Sequence, residues 1–400
     1  MKILYFGTVC DINEYDKLLE NCSCKPSVAP IVFENALLDG FSKNRTDLEI
    51  HSFPMIPTFP SSKILHFGKC VNNLKSGYSC RWLNTWNLPL IKQFSRRMDA
   101  RRILKKWGRE NRGEGVVFTY SIPPFLVKDV IRFSKKYSIK TIAIIPDLLR
   151  DMYINDNSKS FITSLKNLYL KPALKRQSRY DGYIYLTDAM HEVVAPQKPY
   201  MVMEGIADIS SATPPDISIK AEKRSIMYAG MLHEKYGIIN LLDAFDELSD
   251  TDTELWLFGD GSAVDQIKER AKSNPQIKYF GIVNRDEILK YEKKATLLIN
   301  PRNPKDEFTK YSFPSKTIEY MLSGTPLITT KLPGIPEEYF EFIFSVDNNE
   351  VESLYNAMID ALEKSDEELI SIGKKAQSFI LDNKHSQKQV KRIIDFIKEV

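Results

Sequence analysis

Ser225-Ile226-Met227-Tyr228-Ala229-Gly230 and Thr253-Glu254-Leu255-Trp256-Leu257-Phe258-Gly259-Asp260-Gly261 are short apolar runs ending on glycine, with an amphipathic stretch at 237–249 between them. Runs this short and apolar suit parallel strands buried on both faces, and the intervening period suits a helix, so the segment reads as a βαβ unit. The alternation continues in both directions. Downstream, strands are expected near 276–280, 296–300, 326–330 and 342–346, with helices near 263–274, 285–294, 314–323, 351–363, 366–382 and 386–400. Upstream, strands are expected near 2–7, 48–53, 115–120, 140–146, 182–186 and 200–204, with helices near 29–43, 88–110, 124–137 and 160–179. Pro54, Pro57 and Pro60 with Ser61 and Ser62 mark a long loop after the second strand. The pattern predicts an α/β protein of two Rossmann-like, doubly wound domains facing a central cleft. The small, polar, proline-bearing segment 208–215 reads as a linker, giving domains at 1–205 and 206–385 and a last helix, 386–400, that packs back on the first domain.

Four hundred residues exceed what one core usually serves, and 43% hydrophobic with 27% charged residues excludes disorder, collagen and coiled coil as the main theme. No run approaches eighteen apolar residues, and the N-terminal run meets Asp11 without a small-residue cleavage site, so it reads as a buried first strand. Five cysteines without metal-ligand spacing read as reduced thiols in a cytoplasm.

Net charge is +4, but residues 1–200 carry 31 basic against 18 acidic side chains and residues 201–400 carry 25 against 34, or +13 and −9. The densest stretch is Arg96, Arg97, Arg101, Arg102, Lys105, Lys106, Arg109 and Arg112, interleaved with Phe94, Met98, Leu104 and Trp107. A solvated helix face and an anionic membrane surface are the two readings for it; a nucleic-acid partner is not expected.

The chemistry concentrates in Asn300-Pro301-Arg302, Phe313-Pro314-Ser315-Lys316-Thr317-Ile318-Glu319 and Gly324-Thr325-Pro326. Pro314 and Ser315 announce a helix start, where free N–H groups together with Lys316 can hold a diphosphate. Glu319, one turn inward, is placed either to accept from a ribose diol or to be an ordinary helix glutamate. Lys235, Arg302 and Lys316 are each either a surface cation or, together, the charge that a bound diphosphate needs.

This stretch resembles the donor-site signature of family-4-type retaining glycosyltransferases, the glycosyl transferases group 1, whose architecture is GT-B. The resemblance is in outline over the whole chain and sharp from about Ser225 to Glu338. It implies that Glu319 is the second glutamate of Glu-x7-Glu; the first falls on Tyr311. Tyr228-Ala229-Gly230-Met231-Leu232-His233-Glu234-Lys235-Tyr236-Gly237 resembles Gly-Arg-Leu-x-x-x-Lys-Gly, with Met231 in place of the arginine and Tyr236 where the lysine stands. Gly259-Asp260-Gly261 resembles the glycine loop beside the nucleotide, and Phe280-Gly281-Ile282-Val283 the loop edging the base. In the first half, Gly7 follows the first strand where backbone approaches donor or acceptor, and Ile145-Pro146-Asp147 resembles a His-Asp position with proline for histidine. Asp147 either orients the acceptor or caps the next helix.

The resemblance implies a retaining, hexosyltransferase-type enzyme that moves a sugar from a nucleotide-diphosphate sugar to an acceptor hydroxyl by front-face attack. No Asp-x-Asp pair stands where a metal-dependent sugar transferase needs one, so no metal and no cofactor beyond the donor substrate are expected. Lys316, Glu319, Lys235, Arg302 and Asp147 are the candidate catalytic set. Gly7, Gly230, Gly259, Gly261, Ile282, Phe313, Pro314 and Ser315, with Lys316 and Glu319, are the candidate nucleotide-sugar contacts. The basic first half suits a glycan acceptor on a polyprenyl diphosphate, in surface-polysaccharide synthesis at the inner face of the plasma membrane. A nucleotide-sugar epimerase and a nucleotide-sugar-binding protein without turnover are the rivals on the same architecture.

Overall fold

The computed structural model describes residues 1–24, 26, 29–68, 71–149, 169–248 and 252–400. Two compact units divide the chain: Met1–Ile206 with Ser386–Val400, and Ala207–His385.

In the first unit, β1 (Lys2–Gly7), β2 (Asp47–Ser52), β3 (His66–Phe67), β4 (Val71–Asn73), β5 (Ser79–Trp82), β6 (Thr85–Trp86), β7 (Gly115–Tyr120), β8 (Lys140–Ile145), β9 (Gly182–Tyr185) and β10 (Tyr200–Val202) follow one another along the chain. Eight of them form one sheet in the order β10-β9-β8-β7-β1-β2-β5-β4, parallel except for the β4–β5 pair. The order reverses between β1 and β7, both buried almost throughout, as central strands covered by helices on two faces must be. The helix Ser386–Glu399 supplies Val390, Ile393, Phe396 and Ile397 to this core. It lies on the helix Ala29–Lys43, where Gly40 leaves room: a Cβ there would overlap the Ser386 carbonyl and the Val390 side chain.

Between β2 and the helix Ile91–Glu110 the chain is more than the long loop read from its prolines and serines. After residues 53–65 it forms β4 and β5 on the sheet edge and a separate antiparallel ribbon of β3 and β6. Strands of two to four residues leave no alternation to read, so sequence pattern passed over them. It also passed over the helix Ile12–Leu19, which Asp11 caps. Residues 160–168 of the helix expected at 160–179 lie outside the described residues; within its remainder, Gln177–Arg179 is a 3-10 turn.

The second unit holds β11 (Arg224–Ala229), β12 (Thr253–Phe258), β13 (Ile277–Gly281), β14 (Leu297–Asn300), β15 (Leu327–Thr330) and β16 (Phe344–Val346), all parallel, in the order β13-β12-β11-β14-β15-β16. This is the doubly wound order, with its switch between β11 and β14. The segment read as a linker is packed on this unit: Gln377 donates to the Thr213 carbonyl (2.9 Å), and Pro215 fills the space a Cβ on Gly324 would take. Among the described residues no helix is long and apolar enough to cross a membrane.

Candidate functional site

The carboxyl ends of β11 and β14 flank the switch point, where ligands bind in sheets of this order. The helix Lys316–Ser323 is anchored there by Tyr320, whose fully buried hydroxyl accepts from the Ala229 N–H (2.9 Å) and donates to the Ala229 carbonyl (3.2 Å). That anchor lays the half-buried Lys316 side chain across the chain leaving β11. A Cβ on Gly230 would stand 2.5 Å from Lys316 Cε and 3.0 Å from Nζ, so the end of the lysine lies against the glycine. Lys316 Nζ lies 6.0 Å from the Tyr228 ring centroid and 5.6 Å from that of Tyr320. Burial lowers its pKa, and Glu319 and Glu292 oppose that fall.

Arg302, two residues beyond β14, stacks its guanidinium 4.7 Å over the Tyr236 ring, and Lys235 sets its ammonium 5.2 Å from the same ring. Arg302 is near enough to disfavour the charged form of Lys316. Its Nε is buried without a hydrogen-bond acceptor among the described residues. A buried donor left unpaired costs about 1–3 kcal/mol, which an anion bound here would recover. Tyr236, where the family segment carries lysine, is thus a platform that gathers two cations by their attraction to its face.

Glu319 lies one turn after Lys316 with its side chain 29% exposed and Arg285 Nη2 at 3.7 Å. Behind it is Glu292, the buried residue of the helix Arg285–Lys294, whose carboxyl oxygens have no hydrogen-bond partner among the described residues. Burial first, then the Glu319 charge, pushes the Glu292 carboxyl well above the usual carboxylate range. Nothing in the periodicity of that helix marks Glu292.

The three glycine turns stack on one another. A Cβ on Gly259, at φ +128°, would overlap the Gly230 carbonyl, and one on Gly261 would overlap the Leu232 backbone. The Leu232 N–H donates to the Asp260 carbonyl (2.9 Å), and the Gly259 N–H to the Gly281 carbonyl (2.7 Å). The glycines therefore serve close backbone contact among the loops, a need the motif alone does not separate from ligand approach. Ile282, on the third loop, is 79% exposed. Phe313 is buried against Tyr339, at 5.7 Å between centroids, and Pro314 is buried beside it. The helix begins at Lys316 rather than 314: Thr317 N–H turns back to the Pro314 carbonyl (2.8 Å), and Ser315 is exposed at the cap position without a side-chain cap bond. Tyr311 closes the 3-10 turn Glu307–Lys310.

Gly7 and Asp147 belong to the first unit. Gly7 is needed because a Cβ would overlap Glu34 Oε2. Glu34, fully buried, accepts from the Thr8 N–H (2.8 Å), the Thr8 hydroxyl and the Tyr5 hydroxyl (2.7 Å), which fixes the turn after β1. Burial raises its pKa to about 7 against the lowering effect of these donors. Asp147 is exposed just beyond β8, close enough to raise the Tyr120 hydroxyl pKa after burial and Glu34.

Residues 223–364 match the family model described as glycosyl transferases group 1. No curated protein matches the chain in sequence. Among solved structures, sucrose-phosphate synthase from Thermosynechococcus elongatus superposes with a TM-score of 0.68 at 12% identity, covering 100% of this chain and 99% of that one. Anabaena HepE in complex with UDP gives 0.65 at 14% identity with both chains fully covered. The lipopolysaccharide outer core galactosyltransferase WaaB gives 0.57 at 13%, covering 100% and 99%. At these identities the likeness speaks for the fold. The whole chain thus carries the GT-B fold, with a match to the glycosyl transferases group 1 over residues 223–364.

Proposed function

We propose that the protein is a retaining, metal-independent glycosyltransferase that moves a sugar from a nucleoside-diphosphate sugar to an acceptor hydroxyl. The observation that carries this reading is the pairing of Lys316 with Arg302, whose buried Nε has no acceptor among the described residues, at the switch point beside Glu319. Two cations that feel each other's charge favour a diphosphate, and they favour it more as negative charge grows on the departing β-phosphate. Glu319 accepts from the ribose diol.

In the proposed step the bond from C1 of the sugar to the β-phosphate oxygen breaks, and a new bond from C1 to the acceptor oxygen forms on the same face. The acceptor proton passes to the departing phosphate oxygen, so no strong side-chain base is required, which agrees with Pro146 standing before Asp147. Asp147 orients the acceptor. HepE was solved with UDP, UDP-glucose and glucose, and WaaB acts on lipopolysaccharide outer core. These relatives support a nucleotide-sugar donor and a glycan acceptor. We place that acceptor on a lipid carrier in surface-polysaccharide synthesis, with the enzyme working at the inner face of the plasma membrane.

Tyr311 and Met231, where the family carries Glu and Arg, favour one alternative, a nucleotide-sugar-binding protein without turnover. Incubation with radiolabelled nucleotide sugars and a lipid extract separates the readings. Label in a lipid-soluble product that Lys316→Ala abolishes supports transfer. Binding without product supports the alternative.

A further inference from the structure

The eight basic residues of 96–112 are not one surface. Arg96 is buried, donates to the Pro54 carbonyl (2.8 Å) and the Thr85 hydroxyl (3.3 Å), and lies 5.9 Å from the Phe53 ring. Arg97 pairs with the buried Asp129 at 2.6 Å. These two, with the buried Lys92 donating to the Ile56 carbonyl, hold the helix Ile91–Glu110 to the loop after β2 and to the helix Val127–Tyr137. Arg102, Lys105, Lys106, Arg109 and Arg112 are left exposed, and Arg101 is half-buried.

At the opposite end of the same helix the exposed side chains are apolar. Leu90 is 84% exposed, Phe94 65% and Trp86 50%, joined by Ile91, Leu65 and Phe59. Backbone bonds bring their segments to one region: β6 pairs Trp86 with His66, the Asn87 N–H donates to the Leu65 carbonyl (2.8 Å), the Phe59 N–H to the Asn87 carbonyl (3.1 Å), and the Trp86 N–H to the Ser95 hydroxyl (3.0 Å). Leu90 moreover sits at φ +64°, a region that non-glycine residues seldom occupy. At 100° per residue, Ile91, Phe94, Arg101, Arg102, Lys105 and Arg109 fall within about a third of the helix circumference, with Lys105 about 16 Å along the axis from Phe94. One helix face therefore runs from apolar to basic.

We infer that this face docks the protein on an anionic lipid bilayer, with Trp86, Leu90, Ile91 and Phe94 entering the headgroup–acyl boundary while Arg102, Lys105, Arg109 and Arg112 rest on the headgroups. Charge complementarity selects this occupant: the apolar tip alone would suit many partners, but the exposed basic row on the same face calls for a negative surface. A second copy of the chain is disfavoured because an isologous contact sets that row against itself. The inference gives the proposed lipid-borne acceptor a docking surface, and its test uses neither nucleotide nor acceptor, so the two can fail separately.

The chain contains its own reporter. Of its four tryptophans, Trp82, Trp107 and Trp256 are buried, so a change in emission on docking reads Trp86. The full-length protein is mixed with phosphatidylglycerol–phosphatidylcholine vesicles or phosphatidylcholine alone, at low and high salt, following tryptophan emission and co-sedimentation. The expected result is a blue shift and co-sedimentation with the anionic vesicles, weakened by salt. Leu90→Ser with Phe94→Ser should cut binding at least tenfold while leaving its salt dependence, and Arg102→Glu with Lys105→Glu and Arg109→Glu should cut it and flatten that dependence. All five side chains are exposed, and unchanged circular dichroism and melting confirm that the variants fold. Absence of both signals at low salt overturns the inference, as does wild-type binding by the Leu90/Phe94 variant. Concentration-dependent dimerisation that the same variant abolishes, without vesicle binding, overturns it in favour of a contact between copies.

Discussion

Glu34→Gln tests whether burial governs the turn after β1. In the folded chain the carboxyl keeps its proton until the pH nears about 7, whereas its ordinary value is 4.5. Between those values the folded state binds more protons than the unfolded one, so stability falls as pH rises from 4.5 to 7 and this contribution is then complete. A displacement of this size corresponds to about 3 kcal/mol. Glutamine keeps a carbonyl oxygen for the Thr8 N–H and removes the ionisation. Its stability relative to wild type should therefore rise by about 3 kcal/mol between pH 4.5 and 8. Urea unfolding followed by tryptophan emission suits this measurement, because Trp82, Trp86 and Trp107 lie in the same unit as Glu34. A stability difference that stays constant across this pH range would show that Glu34 has the same charge in both states, and would refute the argument.

Lys316→Ala and Glu319→Ala should each lower kcat/KM by about 2–4 kcal/mol, or roughly 30- to 1000-fold, with the fold retained; wild-type turnover in either removes that residue from the site. Gly259→Ala places a methyl group into the Gly230 carbonyl at φ +128°, so thermal unfolding should show a loss of about 2 kcal/mol or more; an unchanged melting temperature contradicts the close stacking of the two loops. Transfer should continue in excess chelator; chemistry lost on chelation and restored by magnesium or manganese contradicts the metal-independent proposal.

The central strands were legible because burial on both faces writes itself as continuous apolar runs: β7 and β8 show it in the first unit, β12 and β14 in the second. The helix that carries Lys316 and Glu319 was legible because a proline–serine helix start has local rules. What escaped depends on contacts made far along the chain. Glu34 and Glu292 look like polar positions of ordinary helices, and only the packing of Tyr5 and Thr8 around one, and of Glu319 beside the other, distinguishes them. Arg96 and Arg97 were read as surface charge for the same reason: composition cannot tell a guanidinium clamped on a carbonyl from one in water. The glycines of 230–261 were recognised as necessary, but their α-carbons are filled by neighbouring loops and by Lys316.

The most direct test of the donor site is a thermal-shift panel of UDP, GDP, ADP, CDP and TDP on the wild-type chain and on Lys316→Ala. A ligand at a hundred times its Kd stabilises the folded state by about 2.7 kcal/mol, worth roughly 5 °C or more for a unit of this size. One nucleoside diphosphate should raise the melting temperature of the wild type by that amount and leave the variant nearly unmoved. No shift with any of the five, or an equal shift in the variant, would contradict a diphosphate site built on Lys316 and Arg302.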